Sequence, residues 1–263
     1  MPEGDAVYRT GARLRAALDG RVLTRSDFRV PRHATADLTG RAVLTTLTRG
    51  KHLLTRVEGG LTVHTHLRMD GSWRVQAAGT RLRAGDVVRL VLANVRWQAV
   101  GIRLGVVDLL PTEREDRVVG HLGPDLLSPA WDAAHAETAA RNIAARPEVT
   151  IGEALLDQRN VAGLGTIWRA ETLYLSGISP FTPAGDVPDL VTMMTLAHRL
   201  LEASKDDPGG PITTGDPRPG RRLWAYGRAG RTCPRCGGRI VGGELGAQPY
   251  ERLVFYCPVC QPR

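Results

Sequence analysis

The chain has 263 residues, 42% of them hydrophobic, and carries 35 Lys plus Arg against 27 Asp plus Glu for a net charge of +8. That length allows one large domain or two modest ones, each with its own core. No apolar run reaches the length of a membrane span and no basic-then-apolar leader opens the chain, which excludes integral-membrane and secreted classes and points to a soluble, cytoplasmic, nucleoid-associated protein of bacterial type. The excess is mostly arginine, which suits phosphate recognition by nucleic-acid binders, although a GC-rich genome would enrich arginine as well.

The chain opens Met1-Pro2-Glu3-Gly4-Asp5. Removal of Met1 would leave Pro2 with a free secondary amine, and an α-amino group of pKa about 7.7–8.0 is partly neutral near pH 7. Such an amine can form a Schiff base with a sugar carbon, with Glu3 beside it for acid or base work. Gly4 to Leu18 then carries apolar residues at helical spacing and ends near Gly20. From Val22 to about Leu110, β-formers alternate or cluster between glycine-containing turns, as in 61–67 and 86–92. This predicts an antiparallel system of about eight strands, a sandwich or barrel on which the first helix leans.

Helical composition takes over from about Asp116, with expected helices over 130–145, 151–156, 166–175 and 189–204. Lys205 to Gly220 holds four prolines and four glycines and reads as a mobile loop. All four cysteines follow it, as Cys233-x2-Cys236 and Cys257-x2-Cys260 separated by twenty residues. Paired knuckles at that spacing can close a tetrahedral thiolate site around one structural Zn²⁺, with 239–241 and 253–256 as the strands of a hairpin. Two disulfides are the alternative, disfavoured in a reducing compartment.

Taken together, the N-terminal Pro-Glu, the β-rich first half, the helical second half and the terminal cysteine hairpin resemble the formamidopyrimidine-DNA glycosylase and endonuclease VIII family. The resemblance spans the whole chain. Arg49-Gly50-Lys51-His52-Leu53-Leu54 is similar to the family's lysine strand, and Leu155 to Arg159 through Gly163-Leu164-Gly165 to its helix–two-turns–helix. It implies an α+β fold: a β-sandwich or barrel with a leading helix over 1–115, a helical DNA-binding domain over 116–225, and a zinc finger over 226–263.

The resemblance also implies residue roles. Pro2 matches the nucleophile, Glu3 the proton donor, Lys51 the lysine of strand cleavage, and Arg252 the zinc-finger arginine that grips phosphates. Gly163, Gly165 and Thr166 fall at the phosphate-binding turn, His66 and Met69 on the loop that fills the gap left by an extruded base, and Arg103-Leu104-Gly105 on a second such loop. The implied activity is a bifunctional DNA glycosylase/AP lyase acting as a monomer on damaged double-stranded DNA, with β,δ-elimination and no redox or nucleotide cofactor. Three departures stand out. Thr166 replaces the usual asparagine, Ala6 replaces a third carboxylate, and Ile102 replaces an arginine of purine-specific members. The last favours oxidised pyrimidines. A purine glycosylase, or a zinc-hairpin DNA binder without catalysis, are the competing readings.

Overall fold

Val7, Leu14, Ala17 and Leu18 fall on one face of α1 (Gly4–Leu18) and are buried, as their helical spacing requires. The computed structural model describes residues 2–82, 85–249 and 251–262. It resolves into two compact units, residues 1–2 with 6–121 and residues 3–5 with 122–263.

In the first unit, eight strands form two antiparallel four-stranded sheets. The strands are β1 (Arg25–Phe28), β2 (Val43–Arg49), β3 (His52–Val57), β4 (Leu61–His66), β5 (Ser72–Ala77), β6 (Val88–Ala93), β7 (Trp97–Ile102) and β8 (Val106–Pro111). One sheet runs β1-β6-β7-β5 and the other β2-β3-β4-β8. Their inner faces share a core with α1: Phe28, Trp73, Leu90 and Leu92 come from the first sheet, and Val43, Leu53, Val57 and Val63 from the second. The expected sandwich with a leading helix is therefore present. Because side chains alternate across a strand, the register that turns Leu53, Thr55 and Val57 toward the core turns His52, Leu54 and Arg56 to the opposite face. His64 and His66 on β4 share that opposite face, with His66 directly across from His52.

Arg49 and His52 pair at the end of β2 and β3, so Gly50 and Lys51 make the two-residue turn between them, with Gly50 at φ +56°. Lys51 was expected on a strand. It lies instead on the turn and is 6% exposed.

The second unit contains α2's successors: after α2 (Asp116–Val119), which closes the first unit, come α3 (Ala133–Ala144), α4 (Ile151–Ala154), α5 (Thr166–Ser176) and α6 (Leu190–Ser204). Asp132, Thr150 and Asp189 cap α3, α4 and α6 by accepting amide hydrogen bonds, so three helix starts are fixed by local chemistry. Trp168 through Tyr174 on α5 are all buried, which makes α5 the axis of this unit. The terminal hairpin pairs β9 (Val241–Leu245) with β10 (Arg252–Tyr256), starting two residues later than the expected 239–241. The segment 205–220, read from the sequence as a mobile loop, carries side-chain hydrogen bonds with the residues at both of its ends. Ser204 Oγ donates to Ile212 O at 2.7 Å, and Arg222 Nη2 donates to Asp207 at 2.9 Å and Gly210 O at 2.7 Å.

Candidate functional site

Glu3 belongs to the second unit and is 2% exposed. Its Oε1 accepts from Ile167 N at 2.8 Å and Thr166 Oγ1 at 3.3 Å, and its Oε2 accepts from Trp168 N at 3.3 Å. These are donors of the first turn of α5, whose amides have no intrahelical partner, and the helix dipole favours an anion there. The peptide chain itself puts Pro2 next to this carboxylate. Gly165 explains why the turn before α5 must be small: a Cβ there would lie 2.3 Å from the Glu3 carboxyl carbon. Gly163, at φ +97°, gives its carbonyl to Gly4 N at 2.8 Å. The two glycines thus make room for Glu3 and the start of α1, a role the sequence did not announce.

Behind Glu3, α5 carries three further polar side chains that sequence reasoning missed. Arg169 is wholly buried, donating Nη1 to Gly152 O at 3.2 Å and Nη2 to Leu253 O on β10. Burial pulls its pKa down to about 10, opposed by the charges of Glu3 and Glu153 and reinforced by Arg252. Arg169 therefore lies within electrostatic reach of both Glu3 and Arg252, two residues singled out from the sequence. Glu171, also fully buried, accepts from the amides of Trp224, Ala225 and Tyr226 at 2.8, 2.9 and 2.9 Å and from the Thr213 hydroxyl. It anchors the segment leading to the cysteines. Tyr174, a turn further on, hydrogen-bonds Cys233 Sγ at 3.1 Å, and the Arg235 guanidinium lies 4.7 Å over its ring.

The four cysteines converge as predicted. Their Sγ atoms all lie within 4.8 Å of one another, with Cys236–Cys257 at 3.5 Å and Cys233–Cys260 at 3.9 Å. Four thiolates at 2.3 Å from a tetrahedral Zn²⁺ would stand about 3.8 Å apart, so the donor set and spacing fit that ion. All four are free thiols, not disulfides.

In the first unit, Lys51 and His66 lie close enough that the lysine's charge helps hold the His66 pKa down to about 4, after burial and the Arg68 guanidinium. His66 Nδ1 accepts from Arg68 N at 2.9 Å, and Arg68 adopts φ +55°. That left-handed conformation costs a non-glycine residue about 1–2 kcal/mol, and such strain is commonly held at functional loops. Arg103, at φ +46°, is strained in the same way. The two loops meet: Gly105 N donates to His66 O at 3.0 Å, and Arg68 packs where a Gly105 side chain would stand. Met69, read from the sequence as a wedge, is 65% exposed. Leu104, expected as a second wedge, is 6% exposed and belongs to the core, packing over Gly101. An apolar residue beside a strand end is drawn into the adjacent core.

Two family models cover most of the chain: the formamidopyrimidine-DNA glycosylase N-terminal domain matches residues 1–105 and the formamidopyrimidine-DNA glycosylase H2TH domain residues 122–203. A protein of Streptomyces coelicolor named probable endonuclease 8 2 is 53% identical over 99% of this chain and 94% of its own. The chain belongs to the formamidopyrimidine-DNA glycosylase and endonuclease VIII family. The DNA-(apurinic or apyrimidinic site) lyase Nei2 of Mycolicibacterium smegmatis is 43% identical over 99% of both chains. Among solved structures, Lactococcus lactis Fpg in complex with DNA containing N7-benzyl-Fapy-dG matches all of both chains with a TM-score of 0.82 at 22% identity, a likeness of fold.

Within this family frame the three departures acquire structural detail. Thr166 directs its hydroxyl to Glu3, as described above. Ala6 offers no carboxylate, while its neighbour Asp5 is buried and accepts from Trp168 Nε1 at 3.0 Å. Ile102 packs against Val88, Val91 and Val100. No helix among the described residues is long and apolar enough to cross a membrane.

Proposed function

We propose that this protein is a bifunctional DNA glycosylase/AP lyase that removes oxidised bases, pyrimidines ahead of 8-oxoguanine, from double-stranded DNA. The observation that carries the reading is the Glu3 carboxylate seated on the first turn of α5 by Ile167 and Trp168, one peptide bond from Pro2. After loss of Met1, the neutral Pro2 nitrogen attacks C1′ of an extruded nucleotide and displaces the damaged base, and Glu3 handles the accompanying protons. The C1′–O4′ bond then breaks, with O4′ taking a proton, and the new C1′–N bond becomes an iminium, which acidifies the C2′ hydrogens and permits β- and then δ-elimination. The electron sink is the protein's own imine, so no redox or nucleotide cofactor is required.

The remaining groups hold DNA. Lys51, His66 and Arg252 supply donors for phosphates, and Met69 occupies the space of the extruded base. Cys233, Cys236, Cys257 and Cys260 hold one Zn²⁺, which fixes the hairpin bearing Arg252 and leaves no open coordination position for chemistry. The pyrimidine preference follows from Ile102, which cannot read the partner base through charged hydrogen bonds. A ring-saturated pyrimidine also stacks poorly and is extruded at low cost. Single-turnover excision of thymine glycol, dihydrouracil and 8-oxoguanine, each opposite cytosine, tests it: both pyrimidines should leave faster. Faster loss of 8-oxoguanine than of both would move the protein to the purine branch.

A further inference from the structure

We propose that His52 is a phosphate-binding residue, held by buried His64 in the tautomer that presents a neutral N–H beside Lys51 and His66. The inference rests on the proposal that Lys51 and His66 face DNA phosphate.

Four imidazoles gather in the first unit. His52 Nδ1 and His64 Nε2 are 2.8 Å apart while the ring centroids are 5.1 Å apart at 15°, so the rings meet edge to edge through that bond rather than face to face. His66 stands at 83° to His52 with centroids 4.8 Å apart, and His121 at 77° and 6.3 Å. One proton occupies the His52–His64 bond, and two tautomer pairs can supply it. If His52 donates, His64 must carry its own proton on Nδ1. That atom is buried and has no hydrogen-bond partner. A buried N–H without an acceptor is among the rarest arrangements in folded proteins, whereas a bare ring lone pair is more readily tolerated. His64 therefore donates from Nε2, His52 Nδ1 accepts, and the His52 proton lies on Nε2.

The same logic fixes His66. Its Nδ1 accepts from Arg68 N, so its proton also lies on Nε2. Neither Nε2 has an acceptor among the described residues. His52 and His66 face one another across β3 and β4, and Lys51 precedes His52 in the chain. Burial first, then the neighbouring imidazoles and the Arg68 guanidinium, disfavour a proton on His52 and keep it neutral at pH 7, with its pKa down to about 3. Two neutral N–H donors beside Arg68 and Lys51 call for an acceptor-rich anion, and a phosphodiester supplies one.

The test uses the full-length protein and a duplex carrying a tetrahydrofuran abasic-site analogue. Long-range ¹⁵N spectra of wild-type protein should show His52 protonated on Nε2. His52→Phe keeps the ring but loses the donor, and should weaken binding about tenfold, the scale of one hydrogen bond to a charged group. The slope of log Kd against log salt should not change, because no charge is removed. His52→Gln, which restores an N–H, should bind within about threefold of wild type. An Nδ1–H tautomer at His52, or wild-type affinity in His52→Phe, would overturn the proposal. Failure of the wild-type protein itself to bind the duplex would overturn the functional reading beneath it, and is seen before any variant is made.

Discussion

The two units treat polar groups in opposite ways. In the second, the carboxylates of Glu3 and Glu171 are buried and surrounded by donors: two amides and a hydroxyl for Glu3, three amides and a hydroxyl for Glu171. In the first, the imidazoles of His52 and His66 accept at Nδ1 and have Nε2–H groups with no acceptor among the described residues. A carboxylate on a helix N-terminus is preorganised, so the reacting atoms meet it already aligned. Two imidazole N–H groups lacking acceptors are, on the reading proposed above, completed only when an anion arrives. On that reading the acid side of the chemistry is built by folding, and the phosphate side by binding.

The largest effect should come from the metal. Chelation of Zn²⁺, or Cys257→Ser, should abolish lesion-DNA binding, by more than about a hundredfold, because the hairpin bearing Arg252 loses the ion that replaces its core. The sandwich should stay folded, since its core draws on none of the hairpin, and near-ultraviolet dichroism from Trp73 and Trp97 can follow it. Metal analysis finding no zinc in active protein would break this half of the comparison.

Next is Glu3→Gln. It should lower excision of an intact damaged base by about 10²–10⁴-fold, the usual yield of general acid–base catalysis, while keeping some cleavage at a preformed abasic site. Equal losses on both substrates would mean that Glu3 only supports the fold.

Much of this was legible in the sequence because the signals are local. Alternation along 61–67 and 86–92 forecast strands, and the cysteine knuckles forecast their own convergence. The donor networks were not legible. Glu171 meets Thr213 and the amides of 224–226, and Arg169 meets Leu253, pairings more than forty residues apart that no period or spacing announces. His64 and His66 do share a strand face by period two, but a polar residue on an outer face reads as solvated until its neighbours are known. Leu104 was misplaced for the converse reason: the sequence shows that it is apolar, not which apolar surface it reaches.

Acid should expose the first unit's half of the comparison. Burial lowers the His52, His64 and His66 pKa values in the folded state, so the neutral forms belong to the fold. As pH falls below about 6.5, the unfolded chain takes up protons that the folded chain refuses, and stability drops until pH approaches the folded values near 4 and 3. The slope is at most about 1.4 kcal/mol per pH unit for each imidazole. Urea unfolding at pH 7, 6 and 5 measures it, and His52→Phe should flatten it. Bound DNA should flatten it as well, by stabilising any imidazolium beside a phosphate.

A smaller change is expected for Thr166→Val, which removes one of the donors to Glu3 and should slow base excision by about threefold to tenfold, the scale of a single long hydrogen bond. Binding to the abasic analogue should be unaffected. A binding loss without a rate loss would place the hydroxyl on phosphate instead.

The central claim is that the Pro2 nitrogen bonds to the sugar. Borohydride reduction during incubation with abasic-site DNA should trap one covalent protein–DNA adduct per active molecule, with the crosslink at Pro2 by mass spectrometry. Protein carrying extra residues before Pro2 should give none and should not excise. An adduct at Lys51, or full base excision by the extended protein, would contradict the account.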